Sequence, residues 1–326
     1  MHRRCFIRVV GLTGLATLFQ PMSGRRAYAA QSVDTHWRSA LLRNHPLAGR
    51  IWDATSERHV TMGALVESLE LAHFRLLGEV HDNPDHHAIQ AELLEAIAAG
   101  GVKPVVAFEQ FDSDRDAALQ QRLASGKRVP NDVTEAIDFD YKGWNWDFYR
   151  PLVAIALRHG MPLRAANLSR MSAAPIARKG MAALEPGRIA ALRLETAWTA
   201  EREQGLRAII REGHCGALPE SVVPTMAVAQ RVRDATLAES LLGAGRDGGV
   251  LIAGNGHVRR DLGVPVYLSA AAAERSSCAV GIVEVDAEKQ HPQAYLQSMA
   301  SRMPLYDFVC FTPRWDRPDP CAAFLR

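Results

Sequence analysis

The sequence predicts an α/β protein, with a mainly parallel β-sheet covered by helices on both faces and interrupted by a helical insertion. Three observations lead there. Short apolar runs of strand length recur along the chain, and helical patterns separate most of them. One long stretch, residues 171–245, breaks that rhythm with helices rich in Ala, Leu, Arg and Glu. The composition suits the class, with 48% apolar and 23% charged among 326 residues.

The first thirty residues stand apart from the fold. "MHRRCFIR" is a basic start, "VVGLTGLATLF" an apolar core, and "AYA" at 27–29 a small-x-small cleavage site. That order describes a signal peptide removed near Ala29-Ala30, and its core is too short to span a bilayer. Arg3-Arg4-x-Phe6-Ile7-Arg8 also fits the twin-arginine pattern, so both export routes stay open. A periplasmic protein is expected, and no later segment is long and apolar enough to cross a membrane. The leader carries five arginines and no acid, so its removal takes the formal charge from +2 to −3. Nothing then favours nucleic acid as a partner.

Four cysteines remain in the mature chain: Cys215, Cys278, Cys310 and Cys321. In an oxidising compartment they allow three pairings, of which Cys310–Cys321 closes the shortest loop and is the preferred one. No small-residue lipobox precedes Cys5, which argues against a lipid anchor.

The first strand of the fold is "FRLLG" (74–78), and it ends in Glu79 and His81. A helix follows, with Asn83 as cap, Pro84 in the first turn and a stripe of Ala88, Ile89, Leu93 and Ile97. Capping and the helix dipole account for Asp82, Asn83 and Asp85. Of His86 and His87, one can still face a site. "PVVAFE" (104–109) leads into Glu109-Gln110, and "PLRAAN" (162–167) ends in Asn167. "GVLIAGNG" (249–256) leads into Asn255 and His257, and "AVGIVEV" (279–285) is a further strand.

In an open parallel sheet, ligands bind outside the carboxyl ends of the strands. Four strand ends therefore deliver Glu79, His81, Glu109, Asn167, Asn255 and His257 to one edge. A carboxylate directly after an apolar strand is partly buried and needs partners. Between two of these strands lies "DFDYKGWNWDFYRP" (138–151), which holds six aromatic residues. It is either a loop tucked onto the core or a flat apolar wall for a planar ligand. In the second case Tyr141 or Tyr149 offers a phenolate to ferric iron. Within the insertion, Arg233-Asp234 either orients site groups or forms a surface ion pair. The chain carries no GxSxG elbow, no GxxxxGK[ST] loop and no HExxH helix.

Gly78-Glu79-x-His81, "AFEQF" (107–111), "GWNWDFYRPLV…GMPLRAANLSR" (143–170), "HC…LPE" (214–220), "AQRVRDATLAESL" (229–242) and "GNGHVRRDLGVPVYL" (254–268) together resemble the ChaN family. The resemblance runs from about residue 50 to 285. It implies a ChaN-like α/β fold with a helical insertion, an extracytoplasmic location, and haem bound between two subunits for haem and iron uptake. It also implies distant kinship with the Tiki metalloproteases and erythromycin esterase. The shared acid and histidine motifs carry a site role to Glu79, His81, Glu109 and His257. Candidate haem contacts are His81, His86, His214, His257, Tyr141 and Tyr149. The alternative is a hydrolase, in which Glu79, Glu109 and His257 do acid–base work or Glu79, His81 and His257 hold a divalent metal.

Overall fold

The computed structural model describes residues 36–126, 128–297 and 303–323. The leader and its cleavage site lie outside the described residues. The strands are β1 (Ile51–Asp53), β2 (Arg58–Val60), β3 (Phe74–Leu77), β4 (Val105–Asp112), β5 (Leu163–Asn167), β6 (Gly249–Ile252), β7 (Ser277–Glu284) and β8 (Phe308–Thr312). They form one sheet in the order β2-β1-β8-β7-β3-β6-β4-β5. From β8 to β5 all pairings are parallel, and β1 runs antiparallel to both its neighbours. The predicted fold class is therefore present. The sequence reading overlooked β1, β2 and β8. The first two have only three residues each and no periodic pattern, and β8 follows no helical run that would set it apart.

Side chains alternate across the central strands, as a sheet covered on both faces requires. Leu77, Val106, Phe108, Val250 and Ile252 share one core with α1 (Met62–Leu71), α2 (Pro84–Ala99) and the later pair α4 (Pro130–Ile137) and α5 (Trp146–His159). Before that pair comes α3 (Asp116–Ala124). Leu76, Ala107 and Leu251 point the other way, into a core shared with the insertion. The insertion comprises α6 (Arg170–Lys179), α7 (Pro186–Ala191), α8 (Ala200–Gly213) and α9 (Val223–Leu242). Val232, Ala235, Ala238 and Leu241 of α9 are buried, and α9 lies against β4, β5 and β6. It is thus a layer of the structure as well as a cover. After β6, α10 (Val264–Ala271) completes that face.

The cysteine pairing expected from loop length is corrected here. The disulfide joins Cys215 to Cys321, with Cα atoms 5.7 Å apart, while Cys278 and Cys310 are free and buried. Cys310 sits inside β8, paired in register with Ile51 and Ile282, and its side chain belongs to the core. The tail meanwhile carries Cys321 away to the end of α8. Closeness in sequence lost to the direction of a strand.

One glycine decides how β3 can end. Gly78 N donates to Val280 O (2.8 Å), the last rung between β3 and β7. Beyond it, the Asn255 side chain continues the ladder. Its Nδ2 donates to Ile282 O (2.6 Å) and its Oδ1 accepts from Ile282 N (3.1 Å). A Cβ on Gly78 would lie 2.2 Å from Asn255 Oδ1 and 2.9 Å from Val280 O. Neither the clamp nor the backbone can give way cheaply. Gly78→Ala is expected to lower stability by about 1–3 kcal/mol through overpacking. Urea denaturation checks this, and a variant with the wild-type midpoint would refute it.

Candidate functional site

The topology sets the site. The chain leaves β3, skips one position to build β4 and β5, and returns to lay β6 into the gap. Glu79 and His257 follow β3 and β6, Glu109 lies in the carboxyl-terminal half of β4, and the three reach the same edge of adjacent strands.

Glu79 is buried at 2% exposure and surrounded by donors. Its Oε1 accepts from Tyr149 Oη (2.7 Å), His81 Nδ1 (2.8 Å) and Gln110 Nε2 (3.1 Å). Its Oε2 accepts from Gln90 Nε2 (2.9 Å), and His87 Nδ1 stands 3.5 Å away. Burial pushes this carboxyl upward. The nearby His87 and His81, with the Tyr149 hydroxyl, more than offset that and hold it below the ordinary range. Glu79 is a fixed carboxylate.

That carboxylate orients His81. A carboxylate only accepts, so Nδ1 of His81 carries the proton and Nε2 is the ring's other face. The His81 side chain is 46% exposed, and its Nε2 makes no hydrogen bond among the described residues. Burial lowers its basicity, but the bond to Glu79 and the charge of Glu109 raise it above the usual histidine value. The ring meets Trp144 edge-on, with centroids 4.9 Å apart.

His257 is placed otherwise. Its Nε2 lies 3.1 Å from Glu109 Oε1 and its Nδ1 2.5 Å from Asp234 Oδ1. Both partners only accept, so both ring nitrogens carry protons and the ring is an imidazolium. Burial works against that charge, but Glu109 and Asp234 prevail and its pKa is pushed up to about 10. Glu109 is correspondingly held far below its ordinary range, and Gly254 N donates to its Oε2 (2.7 Å). Burial leaves Asp234 raised despite His257. Gly254 links the two halves, since a Cβ there would lie 2.8 Å from His81 Cε1 and 3.6 Å from Glu109 Oε2.

The remaining nominated residues separate clearly. His86 is fully buried, with Nδ1 accepting from Val80 N (2.8 Å) and Nε2 donating to Thr312 Oγ1 (2.8 Å). Burial and then His87 push it well below the usual histidine value. Neither of its nitrogens is left for a ligand. Tyr149 is fully buried, and burial followed by the charge of Glu79 drives its hydroxyl far above the ordinary phenol value. A phenolate there is disfavoured, so the structure corrects that expectation: Tyr149 is a donor to Glu79. Tyr141 is 62% exposed and meets Phe139 edge-on at 5.0 Å. His214 caps the end of α8, its Nδ1 donating to Ile210 O (2.8 Å). Among the described residues no group of three or more His, Cys, Asp or Glu side chains is placed to hold a metal ion. The carboxylates of Glu79 and Glu109 are taken by histidine, amide and hydroxyl donors instead.

Sequence reasoning assigned no partner to Glu79. Gln90 sits beside the predicted buried stripe of α2, and a fully buried glutamine there was the signal for a polar neighbour. For Arg233-Asp234 the sequence leaves open a role in orienting site groups or a surface ion pair, and Asp234 takes the first. On a helix, neighbouring residues face different directions, and only Asp234 turns to His257.

Comparison with known proteins adds four findings. Residues 65–268 match the family described as haem-binding uptake, Tiki superfamily, ChaN. Among solved structures the chain is similar to ChaN of Campylobacter jejuni, a protein with cofacial haem binding. The identity is 21% and the TM-score 0.64, over 80% of this chain and 95% of that one. It is more weakly similar to RRSP, a MARTX toxin effector domain from Vibrio vulnificus (16% identity, TM-score 0.38, 66% of this chain and 35% of that one). No curated protein matches the chain.

Proposed function

The chain belongs to the ChaN family of haem-binding uptake proteins in the Tiki superfamily, and we propose that it binds haem at the strand-end site, with His81 facing the iron. The observation that carries this reading is the state of His81. Its Nδ1 proton is held by the buried carboxylate of Glu79, and its Nε2 has no partner among the described residues. A histidine held this way has a fixed tautomer and orientation and a more basic free nitrogen, which is how proteins prepare a metal-binding imidazole. Trp144 beside it and the exposed ring of Tyr141 supply apolar surface of the kind a porphyrin covers. Bound there, haem would place its iron chemistry at the edge of the sheet, while Glu79 keeps His81 in position.

The wider role follows from the same premise. The basic leader, short apolar core and "AYA" support export to the periplasm, where a haem-binding protein of an uptake family serves iron acquisition. The binding in the Campylobacter relative is cofacial, and a homodimer presenting two such sites to each other is the matching arrangement here. Haem titrated into the folded mature chain is expected to give a saturable Soret change. His81→Ala is expected to abolish or shift that band while circular dichroism stays native. The more conservative Glu79→Gln should weaken binding by roughly 10–100-fold. A wild-type chain that gives no saturable change overturns the reading.

A further inference from the structure

Two arginines from motifs that the haem reading has not used face one cavity beside His81. The cavity has a volume of about 360 Å³ and runs between the strand ends and the insertion. Arg170 enters it from the first turn of α6 and Arg233 from α9. Neither guanidinium makes a hydrogen bond or ion pair among the described residues, and Nε of Arg233 is buried without a partner. The acids of the same wall are mostly committed elsewhere. Asp138 holds Arg115 (3.2 Å), Glu109 holds His257, and Asp140 accepts from the backbone of Lys142 and Gly143 (3.1 Å each). Asp112 accepts weakly from Asn167 Nδ2 (3.4 Å). Burial and then Asp114 hold that carboxyl above its ordinary range, although the charge of Arg233 works against them.

Guanidinium groups present paired donors that match carboxylates, and an unpaired one beside a ligand site is built for an anion. The far wall of the cavity includes His81, Trp144 and Phe139. We infer that Arg170 and Arg233 hold the propionate carboxylates of the porphyrin, so that this cavity is the acid end of the haem site. The inference rests on the haem reading and deepens it. It makes the side chains of the porphyrin, and not the iron alone, a determinant of what the protein accepts.

The test compares iron protoporphyrin IX with its dimethyl ester, which keeps the iron and the ring but loses both carboxylates. Each is titrated into the mature wild-type chain and the Arg170→Gln/Arg233→Gln variant. The variant should bind iron protoporphyrin IX roughly tenfold or more weakly, as expected for a lost charged hydrogen bond. The ester should bind both chains alike. Lysine at both positions keeps the charge without the fork and should recover part of the affinity. If the glutamine variant keeps wild-type affinity and an unchanged Soret band, the carboxylate assignment fails and the haem reading stands. If the wild type binds neither porphyrin, both fail. Succinate that binds the wild type through both arginines without competing with haem would assign the cavity to a separate small acid and overturn the inference.

Discussion

Replacing His257 by alanine should cost the protein about 3–5 kcal/mol of unfolding free energy, the range for breaking a buried, hydrogen-bonded ion group by removing one member. The ring lies between Glu109 and Asp234 with all three side chains nearly sealed from solvent. Without it two buried carboxylates face a cavity, and only Glu109 keeps a donor, from Gly254 N. Like charges so placed do not both stay ionised. Asp234→Asn, which keeps the shape and an accepting oxygen, should cost clearly less. The gap between wild type and His257→Ala should also depend on pH. His257 is raised from 6.5, so its contribution is whole below pH 6.5 and drains away as pH climbs towards about 10. Glu109 is lowered from 4.5, so its contribution is whole above pH 4.5 and is lost in acid. The gap is therefore widest between about pH 4.5 and 6.5. Asp234 is raised by burial although His257 pulls it down, so removing His257 raises it further and adds to the gap. Urea midpoints across the pH range read this out, and a gap below about 1 kcal/mol throughout would show that the triad is not what joins α9 to the strand ends.

Loss of the Cys215–Cys321 bridge should cost about 2–5 kcal/mol. The two cysteines are 106 residues apart in sequence, and a loop of about that length is worth roughly 4–5 kcal/mol in chain entropy alone. The loop runs from the end of α8 through α9, β6, β7 and β8 to the tail. The tail has a second hold, because Arg317 bridges Glu284 at the end of β7 and Asp82 after β3. The folded contacts should thus survive reduction, and the loss should appear chiefly as a lower denaturation midpoint. Cys215→Ser and Cys321→Ser should match each other and the reduced wild type, whereas Cys310→Ser should leave the sensitivity to reductant intact. A wild-type midpoint indifferent to reductant would refute the pairing's role.

What was legible in the sequence was local. The apolar strand runs and the polar residues directly after them predicted where Glu79, Glu109 and His257 would emerge, because strand direction fixes which end of a parallel sheet is the busy one. What was not legible depended on partners far away along the chain. His81 and His86 look alike in sequence, yet one opens to solvent and the other closes on Thr312, 226 residues later. Tyr149 read as a candidate phenolate because nothing local shows that its hydroxyl ends on Glu79, 70 residues earlier. Cys321 chose a partner by the course of the tail and not by the length of a loop.

The Asn255 clamp has a kinetic consequence. A single residue has its backbone N–H on Glu79 O and both ends of its side-chain amide on Ile282. Those contacts require β3, β6 and β7 to be already neighbours, and β3 precedes β6 by about 175 residues and β7 by about 200. Closing such distant contacts is a late event in folding. The loop that places His257 and Gly254 therefore settles only once the centre of the sheet is assembled. A half-folded chain lacks the arrangement of Gly254 and His257 at the strand ends.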